Sequence, residues 1–120
     1  MFPEGTNLTA DTISKSNKFA LENNLQSLTQ VLHPRTTGFV HIFNEMNRLD
    51  LIDCIQDVTV GYRGGKMPEN ESDFLFGNLP HEIHFYVDKF DVSLLKKSDN
   101  KILENWLNDR WWKKELFLKE

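Results

Sequence analysis

Phe2-Pro3-Glu4-Gly5-Thr6 stands near the head of a 120-residue chain and carries the chemistry of a strand-to-helix turn. Gly5 has no Cβ, so the backbone there can approach a ligand closely. Thr6 supplies a hydroxyl, and the helix expected to follow offers free N–H groups and the positive end of its dipole. Together these features suit a phosphate. Glu4 would repel one, so its carboxylate is better placed to orient neighbouring N–H groups or a nearby arginine. A turn of this kind belongs to a sheet covered by helices and sets the expectation of an α/β fold.

Downstream, Thr9 or Asp11 can cap a helix running to about Asn23, with Ile13, Ala20 and Leu21 as a sparse apolar face. Thr29 to Leu32 reads as a short strand closed by Pro34. Thr36 can cap a second helix whose stripe is Phe39, Ile42, Phe43, Met46 and Leu49. Val58, Val60 and Tyr62 alternate with Thr59 and Gly61, the pattern of a strand with one buried face. Arg63-Gly64-Gly65-Lys66-Met67-Pro68 is a turn, and the stretch on to Pro80 is irregular. Ile83, Phe85 and Val87 alternate with His84, Tyr86 and Asp88 in another strand. Ser98 or Asp99 caps a last helix bearing Ile102, Leu103, Trp106, Leu107 and Trp111. The expected order is α-β-α-β-β-α.

Composition narrows the class. Hydrophobic residues make up 39% and charged residues 27%, which argues against disorder. A formal charge of −4 removes the basic footprint of a nucleic-acid binder. Mean hydropathy is −0.50, and no apolar run approaches the roughly 18 residues needed to span a bilayer. The single cysteine, Cys54, forms no internal disulfide and reads as a small core residue.

Several blocks then agree with one family. Phe2-Pro3-Glu4-Gly5-Thr6 resembles the third conserved block of the glycerolipid acyltransferases. Val31-Leu32-His33-Pro34-Arg35-Thr36-Thr37-Gly38-Phe39 resembles the fourth-block region of the lysocardiolipin and lysophosphatidylinositol branch, near the 1-acylglycerol-3-phosphate acyltransferases. The likeness continues through Asp57-Val58-Thr59-Val60-Gly61-Tyr62, Pro80-His81-Glu82-Ile83-His84-Phe85 and the aromatic helix at Trp106, Trp111 and Trp112. It implies the C-terminal part of an acyltransferase α/β domain over residues 1–35 and that branch's C-terminal extension over 36–120.

The resemblance also implies an activity, transfer of an acyl group from acyl-CoA to a lysophospholipid, with acyl-CoA as co-substrate and no bound cofactor or metal. It implies a setting at the endoplasmic reticulum. It carries substrate-binding roles to Glu4, Gly5, Thr6, Pro34 and Arg35. Pro34 falls at the fourth-block proline, with an acyl-chain or structural role; Arg35 either pairs with Glu4 or reaches a phosphate. Asn7 departs from the family, which often has arginine directly after the threonine.

The catalytic block is missing from these residues. The family uses a histidine followed five positions later by an aspartate, the histidine acting as general base. The residues five positions after His33, His41, His81 and His84 are Gly38, Met46, Tyr86 and Lys89. The chain is therefore expected to be a fragment holding the anchor without the base, inactive alone. The alternative is a non-catalytic lipid-binding or regulatory module. Trp111, Trp112, Lys113 and Lys114 are a candidate aromatic-basic patch for a membrane surface. His81 and His84 point to opposite faces of a strand and lack companions for a metal.

Overall fold

The computed structural model describes residues 1–63, 71–77 and 79–119. Helix α1 spans Ala10–Glu22 and α2 spans Thr36–Arg48; strand β1 spans Cys54–Arg63. Helix α3 is Glu71–Leu75, strand β2 is Glu82–Asp91, and a 3₁₀ turn over Leu95–Lys97 leads into α4, Asn100–Lys119. The chain divides into two compact units, Met1–Cys54 with Asp91–Glu120, and Ile55–Phe90. The class is mixed α/β, as read. In detail, α3 occupies part of the stretch expected to be irregular, and the strand expected at Thr29 to Leu32 does not form.

Local chemistry explains the helix ends in the first unit. Thr9 is extended, and its hydroxyl accepts from the Thr12 N–H while the Thr12 hydroxyl accepts from the Thr9 N–H at 2.8 Å. This is a capping box with threonine in the place usual for glutamate. Asn24 and Asp50 take left-handed backbone, φ +55° and +54°. One residue on, Leu25 N–H donates to the Ala20 carbonyl and Leu51 N–H to Met46, each at 2.8 Å. Both α1 and α2 thus close in a Schellman turn, with the short polar side chains that tolerate this conformation. Asp99 caps α4 by accepting from Ile102 N–H at 2.8 Å.

Helix α2 lies against α4. Phe39 stacks on Trp106 with centroids 5.7 Å apart and 15° between planes, and it tilts against Phe43 at 6.0 Å. Leu103, Leu107 and Trp111 form the buried stripe of α4 at four-residue steps; Phe39, Val40 and Phe43 are its counterpart on α2. Burial of each large side chain here contributes about 1.5–3 kcal/mol before cavity terms. The expected stripe on α2 is corrected: Ile42, Met46 and Leu49 are on or beyond the rim of the buried face. Val40 takes their place because the helix turns 100° per residue, setting it beside Phe43 rather than opposite it. Leu21 is likewise exposed, leaving Ala20 as the buried residue of α1.

In the second unit, β1 and β2 form a two-stranded antiparallel sheet. Both strands fall where alternation placed them. The buried residue of β1 is Thr59, whereas Val58 is exposed. On β2, Ile83, Phe85 and Val87 remain 53%, 68% and 53% exposed. A two-stranded sheet gives each strand one neighbour and no covering layer of its own, so alternation identifies the strand without ensuring burial. Of the turn at Arg63-Gly64-Gly65-Lys66, only Arg63 lies within the described residues.

Candidate functional site

Residues 28–35 run as extended, bent chain, and their backbone donors determine the site. Leu28 N–H donates to Asn17 Oδ1 at 2.9 Å. Thr29 N–H donates to Glu115 Oε1 at 2.9 Å, and Gln30 and Val31 N–H donate to Glu115 Oε2 at 2.7 and 3.3 Å. Leu32 N–H donates to Glu4 Oε2 at 3.1 Å and His33 N–H to Ser16 Oγ at 2.9 Å. Pro34 has no N–H, and Arg35 N–H donates to the Pro3 carbonyl at 2.8 Å. Every donor a strand would offer to a neighbour is thus taken by a side chain or by the N-terminal turn. That is why a strand-like sequence forms no ladder here.

Glu115 is fully buried, on the core face of α4 four residues beyond Trp111. Its Oε1 also accepts from the Thr29 hydroxyl and from Lys119 Nζ, both at 2.8 Å. Burial pushes this carboxyl up; the Lys119 ammonium, the N–H groups of Gln30 and Thr29 and the Thr29 hydroxyl outweigh it and hold the group down at about 2. Leu28, Val31 and Leu32 turn their side chains into the core between these polar anchors.

The N-terminal turn is held by the same segment and the same helix. Gly5 N–H closes the turn on the Phe2 carbonyl at 3.2 Å. Glu4 spends both oxygens: Oε2 on Leu32 N–H, Oε1 on the Trp111 indole N–H at 3.0 Å. Trp111 is buried, and Lys114 Nζ sits 5.1 Å from its ring centroid. Gly5 has φ +73°, and a Cβ there would lie 3.2 Å from Arg35 Nε and 3.4 Å from Arg35 Cζ. Glycine is required on both counts, conformation and the guanidinium lying against it. Arg35 is exposed, and among the described residues its guanidinium makes no ion pair.

The structure therefore brings Glu4, Gly5, Thr6, Pro34 and Arg35 into one neighbourhood, with Pro34 buried and Thr6 and Arg35 exposed. Of the two roles left open for Arg35, pairing with Glu4 is not adopted. His33 lies beside them, but burial lowers its pKa and outweighs the Gln26 carbonyl and the Glu115 charge, which raise it; Nε2 is engaged with the Gln26 carbonyl at 2.9 Å.

The four-residue surface patch is corrected. Trp111 and Lys114 are buried, Trp112 is half-buried, and Lys113 is paired with Asp109 at 2.7 Å. Adjacent positions on a helix diverge by 100°, so a run of four cannot share one exposed face. Sequence reasoning missed Trp111, Glu115, Asn17 and Ser16 as parts of the site. For Glu115 a signal existed: it continues the stripe Leu103, Leu107, Trp111, so a carboxylate on that face needs donors. In the hairpin unit, Glu82 accepts from Arg63 at 2.9 Å and from His84 at 3.0 Å, which lowers its pKa, His84 first. Among the described residues no three potential metal donors cluster.

Along nearly its whole length the chain is similar to curated glycerolipid acyltransferases. The chain is 42% identical over 115 residues to lysocardiolipin acyltransferase 1 of Gallus gallus, covering 96% of this chain and 30% of that protein. It is 37% identical over 118 residues to lysophosphatidylinositol acyltransferase 10 of Caenorhabditis elegans, covering 98% and 30%. Against 2-acyl-1-lysophosphatidylinositol acyltransferase of Saccharomyces cerevisiae it is 32% identical over 125 residues, covering 98% and 31%. The chain thus spans about 30% of the length of the curated relatives it matches. No family model matches it, and no solved structure does. No described helix is long and apolar enough to cross a membrane.

Proposed function

We propose that this chain forms the acceptor-anchoring part of an acyl-CoA:lysophospholipid acyltransferase, residues 1–35 contributing the end of the catalytic region and 36–120 its extension. The observation that carries this reading is the Glu4-Gly5-Thr6 turn, held by Leu32 and Trp111, with the Arg35 guanidinium against Gly5 and in no ion pair among the described residues. The acceptor's phosphate meets Arg35, the Thr6 hydroxyl and the turn backbone, and charge-assisted hydrogen bonds fix its orientation. A histidine base outside these residues removes the proton from the acceptor hydroxyl. The hydroxyl oxygen then forms the ester bond, the thioester bond breaks, and coenzyme A leaves as the thiol after taking up that proton. The setting that goes with this chemistry is the endoplasmic reticulum membrane.

Calorimetric titration of the purified chain with glycerol 3-phosphate and with glycerol tests the reading. Phosphate-dependent binding, with no acyl-CoA turnover by the chain alone, is the expected result. Equal responses to both compounds, or none to either, would count against it.

A further inference from the structure

Among the described residues the Arg35 guanidinium makes no ion pair, and the Glu4 carboxylate is held by other donors. Arg35 N–H is tied to the Pro3 carbonyl at 2.8 Å, and its guanidinium lies against Gly5, so the Glu4 carboxylate is attached one residue from it. A carboxylate and a guanidinium carried on adjoining segments can form a strong, often bidentate pair. That pair is absent among the described residues. Two neutral donors hold the carboxylate instead, Leu32 N–H at 3.1 Å and the Trp111 indole at 3.0 Å. Leu32 N–H is fixed within the 28–33 segment. The indole comes from α4, 107 residues from Glu4, and is oriented by burial beneath Lys114.

We infer that Trp111 is a positioning residue: its indole N–H holds Glu4 away from Arg35 and so leaves the guanidinium to a phosphate group. The inference rests on the acceptor-anchoring reading above for the identity of the anion as a lipid headgroup phosphate. Trp111 touches no substrate. It acts by preventing an internal carboxylate from competing with the external anion, which is specificity by withholding a competitor.

The experiment uses the 120-residue chain in four forms: wild type, Trp111→Phe, the double variant Trp111→Phe with Glu4→Gln, and Arg35→Gln. Hydrogen exchange of the Arg35 Nε–H is followed by NMR without ligand, and inorganic phosphate and glycerol 3-phosphate are then titrated. In Trp111→Phe the released Glu4 pairs with Arg35, so Nε–H exchange slows and phosphate affinity falls about three- to fivefold. The double variant restores both, although it lacks the indole. Arg35→Gln loses about tenfold or more. In wild type, Arg35 Nε–H exchanges faster than Arg48 Nε–H, which is held by the Glu45 carboxylate.

Unchanged exchange in Trp111→Phe, or a double variant as weak as Trp111→Phe, would overturn the inference and leave Trp111 as a packing residue. Wild-type Arg35 Nε–H as protected as that of Arg48 would overturn it too, and covers the case in which Trp111→Phe does not fold. The predicted exchange pattern with no preference for glycerol 3-phosphate over inorganic phosphate would instead support the positioning role and refute the lipid headgroup as the anion.

Discussion

Glu115 lies near the end of α4, yet it accepts the backbone N–H groups of Thr29, Gln30 and Val31, 84 to 86 residues away in sequence. A carboxylate with no exposed surface is costly unless its lone pairs are filled. Here three backbone donors, one hydroxyl and the Lys119 ammonium fill them. The same contacts satisfy backbone donors of a segment that pairs with no neighbouring strand.

Glu115→Gln tests that reciprocity. A glutamine keeps one acceptor oxygen and turns an NH₂ group toward backbone N–H donors that cannot accept from it. Chemical denaturation is expected to show a loss of about 2–4 kcal/mol. A loss below about 0.5 kcal/mol would mean that the bonds are not maintained in solution.

The acid limb of stability carries the same signature. The Glu115 carboxyl sits at about 2 when folded, against an ordinary value of 4.5. The unfolded chain therefore binds the proton first, and the contribution is complete above 4.5 and lost as pH falls toward 2. Discounted for solvent screening, the effect is on the order of 2 kcal/mol. Urea midpoints at pH 5 and 2.5 are expected to fall further in wild type than in Glu115→Gln; parallel declines would assign the acid sensitivity elsewhere.

Gly5→Ala probes the turn. The φ of +73° disfavours alanine by about 1 kcal/mol, and its Cβ would press on the Arg35 guanidinium at 3.2 Å. A melting temperature lower by about 3–6 °C is expected, with weaker phosphate binding because the guanidinium is displaced. An unshifted melting point with unchanged binding would show that the turn has another shape.

Phe39→Ala tests the interface of α2 with α4. Removing a ring stacked on Trp106 at 5.7 Å is expected to cost about 3–4 kcal/mol and to change Trp106 fluorescence. Retention of the wild-type emission spectrum would contradict that stacking.

The parts legible in the sequence were those with local causes. Thr9 and Asp99 cap because their partners lie three residues away, and alternation along 58–62 and 83–88 marked both strands. The segment at Thr29 to Leu32 misled because its apolar pattern is genuine while its hydrogen-bond acceptors, Glu115 and Glu4, are distant in sequence. The resemblance implied substrate-binding roles for Glu4, Gly5, Thr6, Pro34 and Arg35, and the fold sets these residues in one neighbourhood. The resemblance did not contain the reason Glu4 stays off Arg35, because Trp111, legible as part of the last helix's apolar stripe, lies 107 residues from Glu4 in sequence.

The most direct measurement is an amide NMR titration of the wild-type chain with glycerol 3-phosphate. Saturable shifts concentrated at Gly5, Thr6 and Arg35 are expected, lost in Arg35→Gln, with the amides of β1 and β2 unmoved. Shifts centred on the β1–β2 hairpin, or shifts at Gly5 and Thr6 that persist in Arg35→Gln, would contradict that placement.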